Sequence, residues 1–541
     1  MKKKIGLLAM ALLFASCSVG GTSSSEGYVI DDGEVVINDK ELLNPTATND
    51  NYRVFYEIFT GSFSDSNGDG IGDLQGIINR LDYLNDGDPN SGKSLGVQGI
   101  WLTPIFKSPT YHKYDVTDYY EIDPDFGDME VFKKLIDECH KRDIKVIIDF
   151  VINHTGDKNE WFEKFKNAHI LEDTSSIYYD FYSYIKPGET ATNGRIFQKV
   201  FGADVSYECN FSSNMPELNF DNDAVKTEVL EIAKHYLDMG VDGFRFDAAK
   251  YIYYGDHIKS AEFWKWFTDE LRKIKSDIYI VGEVWDGDGI TDGYIEKGLD
   301  CFNFTCSQAE GKIAAAAKQG AVTVFTKYVE TYTKHLKELN ENAMMMSFIS
   351  NHDMDRSAGY LQMSNRLAHM AASMYILSPG SPFIYYGEEI GIKGSRGGAN
   401  TDANRRLAMR WGDGDTIANP SEATYKEKLQ INGTVVDHLA NELSLANHYK
   451  KLIMIRKAHP EIARGEYTSI NTNIPETGGF ISTYNNSTVG VFHNVSVNQI
   501  EIDLSSLSLS FNKLNAFAGN KGATLKDNIL IIPAQTTVVL R

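Results

Sequence analysis

Cysteine is scarce: five in 541 residues cannot frame a disulfide scaffold, and no C-x-x-C pair offers a zinc site. Proline, at 13, and glycine, at 45, stay within globular composition, which excludes fibrous and low-complexity classes. Basic charge is outnumbered, 53 Lys and Arg against 74 Asp and Glu, and the net −21 disfavours nucleic acid as a partner. Beyond the first residues no apolar stretch approaches the ~20 needed to span a bilayer. No internal repeat of fixed period is present. The chain does have length enough for about three and a half domains. It also has 42% hydrophobic residues to build a large core, and 12% aromatics. Most rings belong to a core, but rings are also what sugar-binding sites use.

The N-terminus reads MKKKIGLLAMALLFASC. Three lysines precede an apolar run from Ile5 to Ala15, too short for a bilayer and right for a signal peptide. Ala15 and Ser16 before Cys17 resemble a bacterial lipobox, with Phe14 where Leu is usual. Residues 1–17 are read as a lipoprotein-type signal peptide with Cys17 as the lipid anchor. Residues 18–50, Gly/Ser-rich at the start, are read as a tether. The protein is expected outside the cytoplasm, anchored to a membrane and monomeric. Cys139, Cys209, Cys301 and Cys306 match no metal spacing and are expected to be mostly free, buried thiols.

From about residue 50, apolar runs alternate with amphipathic helices. Strands are predicted at 53–59, 98–102, 145–151, 242–246, 277–281, 344–349 and 383–386, with an eighth at 300–304. Helices are predicted at 129–142, 223–239 and 262–275. Continuous apolar strands separated by helices mean a parallel sheet covered on both faces. Eight of them predict an α/β fold, a (β/α)8 TIM barrel, over 51–153 and 216–458. The interval from Asp149 to Asp247 is far longer than those between earlier strands. Its excess, 154–215, is short of helical period and is read as a small irregular domain inserted after the third strand. Alternating runs at 480–484, 489–493, 500–504 and 529–532 predict a C-terminal all-β sandwich domain over 459–541.

Gly87 to Ser94 fits the phosphate-loop pattern G-x-x-x-x-G-K-S. That loop needs a strand before it and a helix after it, so that a helix N-terminus faces the phosphates. Here the helical run Leu74–Leu84 precedes and a strand follows, and Asp86 and Asp88 would repel phosphate. A plain surface loop is expected.

Three acids sit where barrel enzymes place chemistry, at the C-terminal ends of strands. Asp247 ends Asp242–Phe246, Glu283 follows Ile278–Gly282, and Asp353 follows Ser347–His352. A carboxylate directly after an apolar run is costly unless it works or is paired. Arg245, two residues before Asp247, leaves the strand on the same face and supplies a counter-charge. His154 and His352 flank the same mouth. Any one of these acids alone reads as a structural ion pair; the ordered set on successive strands does not.

The segments Asp149–His154, Gly243–Lys250, Gly282–Trp285 and Phe348–Asp353 resemble the four sequence regions of the α-amylase family, which are retaining α-glucan hydrolases and transglycosylases. Met215–Asn219 resembles its fifth region, in the form seen between oligo-1,6-glucosidases and neopullulanases. The resemblance covers about residues 50–541. It implies that Asp247 is the nucleophile, Glu283 the acid/base and Asp353 the transition-state stabiliser. It implies that His154, His352 and Arg245 hold the sugar in the cleaved subsite, and that Tyr114 stacks on it with Asp115 bracing the site. Lys250 would reach the leaving-group side and Arg406 the non-reducing end. The chemistry agrees: the glycosidic oxygen needs a proton donor, and the forming oxocarbenium ion needs a carboxylate on its other face.

Asp65-Ser-Asn-Gly-Asp-Gly-Ile-Gly-Asp73 places oxygens at alternate positions with glycine sixth, as in the first part of a calcium loop. Position 12 is Gly76, so this is no complete EF-hand. Related enzymes of the family carry such a loop after the first barrel strand. Ca2+ is expected, held by Asp65, Asn67, Asp69, Asp73 and the Ile71 carbonyl.

The leading expectation is an α-amylase cutting internal α-1,4 bonds of starch and maltooligosaccharides. Ala248 follows the nucleophile where 1,6-acting relatives carry Val, and an exported, anchored enzyme meets polymer. The alternatives are oligo-1,6-glucosidase, α-glucosidase, neopullulanase or 4-α-glucanotransferase. A non-catalytic glucan-binding protein is disfavoured because all three acids are present.

Overall fold

Seven short, almost wholly buried strands run parallel: β1 (Phe55–Ile58), β2 (Gly99–Leu102), β3 (Lys145–Phe150), β4 (Gly243–Phe246), β5 (Tyr279–Gly282), β6 (Met346–Ser347) and β7 (Ser381–Tyr385). Their order across the sheet is β5-β4-β3-β2-β1-β7-β6. The open edges of β5 and β6 are joined through Cys301 and Phe302, which bridge in parallel to Gly282 and Met346. The expected eighth strand is therefore present as this two-residue link, and the barrel closes. This computed structural model describes residues 28–29, 36–37 and 50–541 except 90 and 362–365. The segment read as a signal peptide, with Cys17, and most of the expected tether lie outside the described residues.

The barrel interior is filled by rings and large apolar side chains, among them Phe55, Trp101, Ile147, Tyr279, Phe302, Met346 and Phe383. Phe55 and Phe383 stack at 5.0 Å. Gly99 is required opposite: a Cβ there would lie 2.3 Å from the Phe55 ring. The surrounding helices bury their apolar stripes, and three of them begin at side-chain caps. Asp128 caps Met129–His140, Asn222 caps Asp223–Asp238 and Asp256 caps His257–Ile274. Among the described residues no helix is long and apolar enough to cross a membrane.

The segment after β3 is an inserted unit with a three-stranded antiparallel sheet, Tyr184–Ile185, Ser206–Glu208 and Phe197–Lys199. It is less irregular than its sequence suggests. Glu160–Ile170 is a helix capped by Asn159, burying Phe162, Phe165, Ala168 and His169. That stripe is only four residues long and partly polar, which hides its period. The C-terminal domain has a five-stranded and a three-stranded antiparallel sheet around their own core, which includes Phe492, Ile502, Phe517, Leu530 and Val538. The described residues of 87–94 follow the short helix Leu81–Leu84 and precede β2 without forming a helix, with Asp88 exposed and Asp86 half-buried. Cys139, Cys209, Cys301 and Cys306 are free and buried.

Candidate active site

The register of three strands assembles the centre. Arg245 on β4 lies opposite Asp149 on β3 and Val281 on β5. Its guanidinium is fully buried, 5.0 Å over the Trp101 ring. Nη1 reaches Asp149 Oδ1 at 2.8 Å and Asp247 Oδ1 at 2.6 Å. Nη2 lies 3.1 Å from Glu283 Oε2. Directly after Asp247 the chain turns left-handed at Ala248 (φ 49), and the Ala248 N–H donates to Glu283 Oε2 at 2.9 Å. Such a conformation at a non-glycine residue is a local cost borne where the surroundings demand it.

Three carboxylates around one guanidinium leave an excess of negative charge in a buried place. Burial, with the repulsion of Asp247 and Asp353, pushes Glu283 up to about 7 against the pull of Arg245. Burial and Asp247 push Asp149 up to about 7 as well. Glu283 is thus a carboxyl that holds a proton near neutral pH, the state a general acid needs.

Asp353 is built differently. His352 lies between two acids, with Nδ1 2.6 Å from Glu57 Oε1 and Nε2 3.0 Å from Asp353 Oδ2. Burial opposes its charge, but Asp353 and Glu57 outweigh that and raise His352 to about 10. Burial likewise opposes the charge on Asp353, yet the His352 imidazolium and Arg406 hold its carboxyl far below the usual range. Arg406 Nη2 reaches Asp353 Oδ1 at 2.8 Å, and Nη1 donates to the Tyr111 hydroxyl at 3.1 Å. Glu283 is therefore pushed toward its protonated form while Asp353 is held anionic, and Asp247 shares the Arg245 guanidinium with Glu283.

The remaining residues expected at the site converge on the same mouth. The Tyr114 ring stacks on His352 at 5.5 Å, and its hydroxyl donates to Asp149 at 3.0 Å. Asp115 is buried and accepts from Ser108 at 2.7 Å, from Thr110 and from Asn214. His154 is buried, with Nε2 lacking a hydrogen-bond partner and its ring 5.3 Å from Phe211 of the inserted unit. Lys250 Nζ donates to the Trp285 carbonyl at 2.7 Å and lies 3.2 Å from Asp286. Glu57, Tyr111 and the bracing role of Asp149 were not singled out from sequence. A polar residue inside an apolar strand, as Glu57 and Asp149 are in β1 and β3, was the available signal.

The Asp65–Asp73 loop is wound by its own side chains. Asp65 Oδ1 accepts the Asn67 and Gly68 amides, Asn67 Oδ1 the Asp69 amide, and Asp69 Oδ1 the Ile71 amide. Asp73 accepts the Ser66 amide and caps the following helix at Gly76. Gly68 and Gly70 supply the left-handed backbone, at φ 87 and 90. Among the described residues no three His, Cys, Asp or Glu side chains group as a metal site. The loop's donor set is nonetheless all oxygen and mixes carboxylate, amide and carbonyl, the chemistry calcium takes.

A closed parallel barrel with a carboxyl of raised pKa and a second carboxylate on one arginine at its C-terminal mouth is the arrangement expected of a glycoside hydrolase. Comparison with known proteins agrees. Residues 57–465 match the α-amylase catalytic domain, and the chain belongs to the α-amylase family as an α-amylase-like enzyme. It is 35% identical over 492 residues to "Alpha-amylase 3" of Dictyoglomus thermophilum, covering 90% of this chain and 92% of that protein. It is 30% identical to an oligo-1,6-glucosidase of Parageobacillus thermoglucosidasius, covering 82% and 90%. Among solved structures, Eubacterium rectale Amy13B superposes with a TM-score of 0.85 at 34% identity, covering 93% of this chain and 98% of that one. An α-amylase from H. orenii superposes with a TM-score of 0.79 at 37% identity, covering 91% and 99%.

Proposed function

We propose that the protein is a retaining α-amylase that cuts internal α-1,4-glucosidic bonds of starch and maltooligosaccharides. The observation that carries this reading is the Arg245 cluster, in which a protonated Glu283 and Asp247 are held by one guanidinium. Glu283 gives its proton to the glycosidic oxygen as the Asp247 carboxylate attacks the anomeric carbon. The C–O bond breaks and the leaving sugar carries the proton away. Glu283, now anionic, takes a proton from water, which displaces Asp247 from the same carbon. Asp353, held anionic by His352 and Arg406, faces the positive charge that develops in both steps.

Ala248 after the nucleophile and the relative named an α-amylase both lean to α-1,4 bonds. A second reading, an exo-acting or 1,6-cutting glucosidase, is favoured by Arg406, expected at the non-reducing end and here bonded to Asp353 and Tyr111. A product time course on amylose, maltotriose, pullulan and isomaltose separates them. Early mixed oligosaccharides from amylose with slow isomaltose hydrolysis support the first. Glucose alone, or comparable isomaltose rates, overturns it. The Asp65–Asp73 oxygens would hold calcium as a structural ion, and Cys17 would carry a lipid that places a monomeric enzyme on an extracytoplasmic membrane face.

A further inference from the structure

Among the described residues, the non-glycine positions that are both left-handed and buried are Ala248 and Lys113, at φ 49 and 64, and both stand at the catalytic mouth. Glycine is the default for such a backbone, because a Cβ is strained there. Lys113 also carries an ammonium, which is costly to bury unless it is paired. It lies in the loop between the paired strands Phe106–Lys107 and Asp118–Ile122. Its Nζ reaches Asp123 Oδ1 at 2.9 Å, Asp125 Oδ2 at 2.9 Å and the Ser108 carbonyl at 3.4 Å, which uses all three of its donors. Asp123 is itself buried, and its Oδ2 accepts the Ser108 amide at 2.9 Å. One buried ion pair thus ties the tip of the loop to its start.

On either side of Lys113 the loop presents a tyrosine to a different half of the centre. The Tyr111 hydroxyl accepts from Arg406, which holds Asp353. The Tyr114 hydroxyl lies 2.6 Å from His352 Nε2 and donates to Asp149, which shares Arg245 with Asp247. The left-handed turn lets both rings face the mouth while Lys113 points back to Asp123. Glycine would make that turn without strain and without a buried charge, so what the lysine adds is the anchor. We infer that Lys113 is a positioning residue: its buried ion pair with Asp123 fixes the loop that sets Tyr111 and Tyr114 against the groups holding the catalytic acids. The inference rests on the reading of Asp247, Glu283 and Asp353 as those acids.

The test compares wild type, Lys113→Met and the double variant Lys113→Gly/Asp123→Asn. It measures kcat and KM on a maltooligosaccharide, melting temperature, and amide hydrogen exchange over residues 108–115. The double variant removes the strain and the buried unpaired acid together, and Asn keeps an oxygen for the Ser108 amide, so it should melt within a few degrees of wild type. Both variants should lose about tenfold or more in kcat, because a small displacement of a fixed group is enough to misalign the reacting centre. Exchange over 108–115 should quicken about tenfold in both, while that of β3 and β4 stays unchanged. Repeating Lys113→Met in a Tyr111→Phe/Tyr114→Phe background separates positioning from a general weakening of the fold. There the further loss in kcat should shrink to about threefold or less, since the hydroxyls through which Lys113 acts are already gone. Wild-type kcat in a folded lysine variant overturns the proposal, and so does an equal loss in the two backgrounds. Exchange reads the loop without turnover: unchanged exchange at 108–115 overturns the proposal whatever the activity, whereas a wild type that cuts no maltooligosaccharide sinks the functional reading instead.

Discussion

Replacing Glu283 with Gln tests the acid/base assignment most directly. The carboxyl is driven from 4.5 to about 7, which amounts to ~3 kcal/mol opposing its ionisation in the folded protein. Wild-type kcat/KM on maltooligosaccharides should therefore fall as pH rises through about 7, roughly tenfold per unit beyond it, as the donor proton is lost. Gln keeps an amide oxygen for the Ala248 N–H, so the site should keep its shape. It has no proton to give, and the rate should drop about 10²–10⁴-fold and lose the alkaline limb. On an α-glucosyl fluoride, whose leaving group needs no proton, the first step should recover in part. Stability carries an independent sign. A carboxyl raised on folding stabilises the protein at low pH, and that contribution is lost as pH rises from 4.5 through about 7. The melting temperature of Glu283→Gln should thus gain on wild type between pH 5 and pH 8. A wild-type rate that stays flat to pH 9, or a variant that keeps the alkaline limb on the fluoride, would refute the assignment.

Asp247→Asn should lose several orders of magnitude in kcat and gain nothing on the fluoride, because the attacking oxygen itself is removed. In wild type a proton NMR time course should show the α-anomer first; initial β-anomer would contradict the two-step displacement and the carboxyl spacing of about 5–5.5 Å that it requires. Chelator should lower the melting temperature, since an ion bound only to the folded loop stabilises by roughly 3 kcal/mol at a hundredfold excess over Kd. Asp69→Ala should reproduce that loss without chelator, and no change in either case would leave the loop a plain turn. Cys17→Ser should move activity from the membrane fraction to the soluble one; unchanged association would sink the anchor.

Much of this protein was set out by local patterns. An apolar run ending in a polar stop is a short-range signal, so the barrel strands and the placement of Asp247, Glu283 and Asp353 at their ends could be read from the chain alone. So could Arg245, because a strand returns to the same face every second residue. The C-terminal domain was half visible. The predicted runs 480–484, 489–493, 500–504 and 529–532 overlap observed strands, while Glu466–Ile470, Leu514–Ala518 and Thr536–Leu540 were missed. The eighth strand was expected at 300–304, and only the folded chain shows how little of it pairs, Cys301 and Phe302 alone bridging to Gly282 and Met346. The electrostatics also needed tertiary structure. Glu57 meets His352, and Tyr111 meets Arg406, each across 295 residues of chain. Burial and through-space charge, which decide that Glu283 keeps its proton while Asp353 keeps its charge, depend on what the folded chain brings within a few ångströms, and no spacing along the sequence encodes that distance.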